Sequence, residues 1–167
     1  MNGTVLDILI YVFDRYMFDE APEVPEREAL ARDLESAGFG EANVERALDW
    51  LADLAGQRSR NELLSAQVPI ELPEGTYRAL RIYAPSEMVR LSADCRGLLL
   101  SLEEADILRP AQRELVIDRL LALEVEDLTL EQVRWVVLMV LSSQPGQEQA
   151  CARMETLVLD ADSSAAH

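Results

Sequence analysis

The chain has 167 residues, 49% of them hydrophobic, which is enough for one compact domain with a buried core. It carries 31 Asp and Glu residues against 15 basic residues, all Arg, and its formal net charge is −16. This charge works against binding to nucleic-acid phosphates or anionic membranes and favours a basic partner, although an acidic surface can also serve solubility alone.

The N-terminal half, residues 1–65, is predicted to contain three helices. Apolar residues at helical spacing predict the first over residues 5–18. The second is expected to begin at Pro25 and to end at Gly38, because Pro suits a first turn and Gly suits a helix end. The third is predicted over 41–55.

Two known architectures are compatible with this half. The Gly38-Phe39 turn followed by Ala47-Leu48 resembles a ubiquitin-associated (UBA) domain, although any tight helical hairpin favours a similar turn. Three helices before a hairpin are also typical of a winged helix. In that interpretation residues 41–55 would be the recognition helix, but their four carboxylates against one Arg have the wrong sign for DNA.

The connector 66–84 is predicted to be a small β-hairpin. Its alternating residues flank the turn sequence Pro73-Glu74-Gly75, and the pattern is typical of two short strands. Such a hairpin needs support from neighbouring helices.

The C-terminal half, residues 85–160, is predicted to be helical, followed by a disordered tail over 161–167. We expect a short helix from Ser86, a longer one from Ser92 to Leu108, one opening at Pro110, a buried one over 130–143 capped by Thr129, and a last one after Pro145-Gly146. The predicted fold is therefore mainly α, a single compact bundle of seven to eight helices with one hairpin near its middle.

Several side chains can be assigned an expected environment. Trp135 opens a run of seven apolar residues and is expected to be buried; a membrane span would need about 20 such residues. Trp50 is expected to be partly exposed. The sequences Arg113-Glu114 and Asp118-Arg119 are typical of a solvated helix face with pairs spaced by one turn.

Catalytic chemistry has little support. The two Cys lack CxxC spacing, and the single His is the last residue, which leaves no zinc motif and no histidine-based mechanism. The acidic clusters Glu103-Glu104 and Glu124-x-Glu126-Asp127 have no accompanying His, Lys or phosphate loop. We therefore predict no enzyme activity, no cofactor and no metal.

The best pointer to a binding surface is the segment 56–101. It has six Arg against five acidic residues, a net charge of +1, while the other 121 residues have a net charge of −17. Candidate binding residues in and next to it are Arg78, Arg81, Tyr83, Arg96, Glu103 and Arg113. The alternative is structural: Arg96 would be a buried Arg paired to Glu103 or Glu114.

Blocks along nearly the whole chain resemble the bacterial Smg family, a family of unknown biochemical function. The resemblance rests on these residues: Leu6-x2-Leu9, Ala37-Gly38-Phe39, Ala47-Leu48-x-Trp50-Leu51, Arg81-Ile82-Tyr83-x3-Glu87, Cys95-Arg96-Gly97-x-Leu99-x2-Leu102-Glu103, Arg113-Glu114-x-Val116-Ile117-x-Arg119 and Trp135-Val136-x-Leu138-Met139-Val140-Leu141. It implies a cytosolic bacterial protein whose genes tend to lie beside those of DNA-processing and topoisomerase-related proteins. It supplies no catalytic residues.

The leading functional hypothesis is a non-enzymatic, cytoplasmic, acidic interaction protein that binds a basic protein partner connected with nucleic-acid processing. The alternative is direct binding of single-stranded nucleic acid by the Arg and Tyr side chains around the hairpin. No membrane partner is expected. The sequence does not specify the oligomeric state.

Overall fold

The computed structural model describes residues 3–16, 25–67, 82–143 and 147–165, and these form eight α-helices. In chain order the helices are α1 (Val5–Tyr16), α2 (Arg27–Ser36), α3 (Glu41–Gln67), α4 (Pro85–Arg90), α5 (Ala93–Glu104), α6 (Pro110–Ala122), α7 (Leu130–Ser142) and α8 (Glu148–Ala165). The described ranges contain no strand. The mainly helical class predicted from the sequence is therefore confirmed.

Helix α7 lies at the centre of the molecule because it is apolar on nearly every side. Val133 and all residues of 136–141 are buried. The helix packs against α8, α6, α5 and α1. The predicted cap is present: the Thr129 hydroxyl accepts a hydrogen bond from the Gln132 amide, and the Gln132 side chain accepts one from the Thr129 amide.

The N-terminal helices join the same core. Helix α3 packs against α1 and α2 on one side and against α6 on the other. Buried apolar residues extend without a break from Leu6 in α1 to Val158 in α8. The predicted stop at Gly38 is present just beyond α2: the last helical residue is Ser36, Ala37 is the C-cap, and Gly38 adopts a φ of 99°, a backbone conformation that favours glycine.

Helix α3 is much longer than the sequence suggested, since it runs through Gly56 to Gln67. One Gly inside a helix costs only about 1 kcal/mol. The following residues up to Gln67 contain no Pro, so the helix continues. Ala66 and Gln67, assigned to the predicted hairpin, are therefore helical; residues 68–81 of that hairpin lie outside the described residues.

Helix α8 also extends further than expected. It continues to Ala165, so residues 161–165 of the predicted disordered tail are helical. None of the described helices combines the length and the apolar character that a membrane span requires.

Candidate functional site

The structure divides the predicted site residues into two separate pairs. Tyr83 and Arg96 lie together, as do Glu103 and Arg113, whereas Arg78 and Arg81 lie outside the described residues. Both pairs involve α5, at positions seven residues apart, which places them about 10 Å apart along the helix axis. The four predicted residues that the structure describes therefore form two pairs rather than one constellation.

Arg96 stacks on an aromatic ring. Its guanidinium carbon lies 5.7 Å from the centre of the Tyr83 ring, and both side chains are half-buried. Its Nε is buried and has no hydrogen-bond partner among the described residues. No described ion pair joins Arg96 to Glu103 or Glu114, the partners expected in the structural alternative.

Those two carboxylates are instead bound by Arg113. Its guanidinium lies 2.6 Å from a carboxylate oxygen of Glu103 and 3.2 Å from one of Glu114. The Arg113 and Glu103 side chains are only 12% and 10% exposed. The expected solvated face is thus wrong here, because this part of α6 packs against α5. The Glu103–Arg113 ion pair therefore joins α5 to α6 inside the fold and offers little accessible surface to a partner.

A second buried Arg joins α3 to α6. The guanidinium of Arg119 lies 5.6 Å from the Trp50 ring centre and donates a hydrogen bond to the Trp50 carbonyl oxygen. The Trp50 indole N–H in turn donates to the Arg119 carbonyl oxygen at 3.0 Å. Trp50 is therefore buried rather than partly exposed, while Trp135, expected to be buried, is half-buried against Phe13.

Asp118 extends this junction towards solvent. It accepts hydrogen bonds from Gln57 of α3 and from Arg119. Partial burial acts to raise the pKa of the Asp118 carboxyl, but these hydrogen bonds outweigh it, and the pKa lies below its ordinary value. Hydrogen bonds between paired polar groups thus hold α3 against α6, which is typical of a contact that stabilises the fold.

Helix α4 is attached to the bundle in an unusual way. None of its residues is buried. Its last residue, Arg90, donates hydrogen bonds to the backbone carbonyl oxygens of Leu121, Leu123 and Val125, where α6 ends. A guanidinium suits this position because its planar set of donors can satisfy several carbonyl groups at a helix C-terminus. We call this arrangement the Arg90 clasp.

An open cavity of about 500 Å³ lies beside the Arg90 clasp. Besides Arg90, it is lined by the apolar residues Val89, Leu121 and Val125 and by the carboxylates Glu124, Glu126 and Asp127. We call it the acidic groove. Within the part of the chain that the structure describes, Glu126 and Asp127 have no ion-pair partner, whereas Glu124 lies 2.8 Å from Arg46.

Sequence reasoning noted the three carboxylates only as an acidic cluster. It missed the groove because neither the exposure of Val89 nor the clasp can be read from local patterns. The exposed apolar side chains beside the groove become visible only in the structure, where Ile82, Met88 and Val89 are 90%, 47% and 77% exposed.

The acidic face of α3 is partly neutralised within the fold. Arg27 of α2 lies 2.8 Å from both Glu45 and Asp49. The buried side of the helix, which includes Val44 and Ala47, faces the core. A major-groove recognition role for α3 is disfavoured by this geometry, because its exposed side carries carboxylates.

Comparison with known proteins gives a consistent result. Residues 5–167 match the family model described as a protein of unknown function (DUF494). The chain is 45% identical to the Protein Smg homolog of Nitrosococcus oceani over all of both chains, and 42% identical to that of Alkalilimnicola ehrlichii over 96% of both. It is 39% identical to the homolog of Aeromonas hydrophila over 98% of this chain and all of the relative. No solved structure matches it.

Proposed function

Because the chain belongs to the Smg family (DUF494), whose biochemical function is unknown, we propose its function from its surface. It is a non-enzymatic interaction protein whose acidic groove binds a basic segment of a protein partner. The observation that carries the proposal is the combination in one cavity of exposed carboxylates and apolar side chains. Basic residues of a partner would meet the carboxylates, and its apolar residues would cover Val89.

The net charge of −16 adds a long-range contribution. A field of one sign accelerates the approach of an oppositely charged partner, and the groove would then set the orientation of the complex. A cytoplasmic partner connected with nucleic-acid processing, which the family resemblance implies, fits this role because proteins that bind nucleic acid carry basic surfaces. The proposal includes the UBA-like interpretation of the α2–α3 hairpin, which also points to protein binding.

The test is affinity capture from a lysate of the source bacterium with three forms of the protein. The first is unmodified, and the second is Glu124→Gln/Glu126→Gln/Asp127→Asn. The third, Asp14→Asn/Glu35→Gln/Glu104→Gln, changes the net charge equally at exposed carboxylates on α1, α2 and α5. We expect basic proteins to be enriched by the first and third forms and lost from the second. Equal capture by both variants, or enrichment of acidic proteins, would contradict the proposal.

A second candidate function is direct binding of single-stranded nucleic acid by Arg78, Arg81, Tyr83 and Arg96. The stacked Arg96 and Tyr83 favour it, because such side chains also stack on bases. It is the weaker candidate, since these two side chains already cover each other. A gel shift of a single-stranded oligonucleotide that Arg81→Ala/Arg96→Ala abolishes would support it, and no shift with the unmodified protein would exclude it.

A further inference from the structure

Helix α4 presents an apolar surface that the rest of the described chain leaves uncovered. Met88 and Val89 are 47% and 77% exposed, and Ile82 just before the helix is 90% exposed. Short helices normally persist in proteins because they bury an apolar face against the core. Helix α4 buries no residue of its own, so another feature must hold it in place.

The Arg90 clasp supplies that support. Its hydrogen bonds to three carbonyl oxygens attach the C-terminal end of α4 to the segment that follows α6. Leu91, directly after α4, is fully buried and fixes the chain at the same point. At the other end, the Glu87 carboxylate accepts a hydrogen bond from the Ala84 amide at 2.9 Å. The exposed side chains are therefore displayed on a fixed element.

The acidic groove lies next to this apolar surface. Val89 belongs to both features, since it lies on α4 and lines the cavity. The carboxylates of Glu126 and Asp127, which have no ion-pair partner among the described residues, line the same cavity. A ligand that contacts both α4 and the groove thus meets apolar atoms and negative charge together.

From this juxtaposition we propose that α4 and the acidic groove together form the docking site for a basic amphipathic helix of the partner. This inference rests on the proposed function and specifies the occupant. One face of the partner helix carries apolar residues that cover Met88 and Val89, and the neighbouring face carries Lys or Arg residues that meet Glu126 and Asp127. Helix-in-groove binding needs such a stripe of apolar anchors flanked by complementary charge.

An extended peptide is the less suitable occupant. Extended segments bind by adding a strand to an exposed sheet edge or, when rich in Pro, by docking in an aromatic-lined groove. The acidic groove is lined by non-aromatic side chains of helices and of the segment between α6 and α7. The volume of about 500 Å³ accommodates several side chains rather than a whole domain.

The test uses a synthetic peptide of Leu and Lys about 14 residues long, four helical turns, with Leu at positions i, i+3, i+4 and i+7. A scrambled peptide of identical composition keeps the charge but lacks the apolar face. Calorimetric titration of the unmodified protein should give an affinity for the amphipathic peptide at least about tenfold higher than for the scrambled one. Amide resonances of α4 and of residues 124–127 should shift on binding.

Variants separate the docking site from general attraction. Met88→Ser/Val89→Ser should weaken binding of the amphipathic peptide about tenfold. The control Leu100→Ser/Leu157→Ser removes two other exposed apolar side chains, 43% and 41% exposed, from α5 and α8 and should leave the affinity unchanged.

The remaining outcomes contradict the inference in distinguishable ways. Equal affinity for both peptides, or no effect of Met88→Ser/Val89→Ser, would overturn the docking site while leaving the proposed binding of basic partners intact. No binding of either peptide would overturn both. Sedimentation as a dimer that Met88→Ser/Val89→Ser converts to a monomer would show that a second copy of the chain covers α4, which would also overturn the inference.

Discussion

At the scale of single residues, several Arg side chains have structural roles that were not predicted from the sequence. Arg113 and Arg119 are almost fully buried, and Arg90 binds three backbone carbonyl groups. From the sequence, Arg113 and Arg119 were expected on a solvated face because acidic and basic residues one helical turn apart are typical of such a face. Their burial depends on which helix packs against α6, and no local pattern specifies that. The capping box at Thr129, by contrast, depends only on residues one turn apart and was predicted correctly.

The buried pair of Glu103 and Arg113 leads to a stability prediction. Arg113→Met removes the guanidinium and leaves the Glu103 carboxylate buried without its main partner, so the free energy of unfolding should fall by about 3 kcal/mol. In Glu103→Leu/Arg113→Met both charged groups are gone, and most of the loss should be recovered. Urea unfolding followed by circular dichroism measures both. An unchanged midpoint for Arg113→Met would show that the pair contributes nothing.

The two thiols are expected to react slowly. Burial, followed by the negative charge of Glu155, raises the pKa of the Cys151 thiol to about 11. Compared with its ordinary value of 9.0, this lowers the thiolate fraction at pH 8 about 100-fold. Ellman's reagent should therefore modify Cys151 in a Cys95→Ser background far more slowly than a free thiol, and Glu155→Gln should accelerate the reaction. A rate equal to that of a free thiol would contradict this environment.

At the scale of elements, helix existence was easier to predict than helix length. Each of the eight described helices overlaps a segment predicted to be helical, and all except α4 bury an apolar face, which is the feature that periodicity detects. The end of α3 was misplaced because Gly56 lowers helix stability without stopping the helix. Neither the exposure of α4 nor its attachment through Arg90 could be predicted, since both depend on residues about 30 positions later in the sequence.

The Arg90 clasp predicts a local effect on α4. In Arg90→Ala, amide hydrogen exchange over residues 85–91 should accelerate, while the global free energy of unfolding should change by less than about 1 kcal/mol because α4 buries none of its own residues. Arg90→Lys should restore little, since one ammonium cannot match the spread of the carbonyl oxygens.

A matched control is Arg153→Ala. It removes another guanidinium–carbonyl hydrogen bond, 3.0 Å long to Ala105, which lies between α8 and the end of α5. Exchange in α4 should stay at the wild-type rate in this variant. Acceleration in both variants, or in neither, would show that the clasp does not hold α4.

At the scale of the whole molecule, the charge distribution along the sequence was informative, but it did not show which charged side chains are paired in the fold. The contrast between an Arg-rich middle and an acidic remainder directed attention to Arg78, Arg81, Tyr83, Arg96, Glu103 and Arg113. In the described part of the chain, four of these side chains are engaged in two pairs: Arg96 with Tyr83, and Arg113 with Glu103. Among the described carboxylates without an ion-pair partner, Glu126 and Asp127 line the cavity next to the exposed apolar residues of α4. The net charge follows directly from the composition, whereas the fold decides which charged side chains remain unpaired.

The salt dependence of partner binding tests the central claim most directly. The dissociation constant of a captured basic partner should be measured between about 0.1 M and about 1 M salt, over which the Debye length falls from about 10 Å to about 3 Å. We predict that the affinity of the unmodified protein falls steeply, and that Glu124→Gln/Glu126→Gln/Asp127→Asn binds weakly with a shallower dependence. The control Asp14→Asn/Glu35→Gln/Glu104→Gln should stay close to the unmodified protein. An affinity that does not change with salt, or that both triple variants reduce equally, would contradict recognition through the acidic groove.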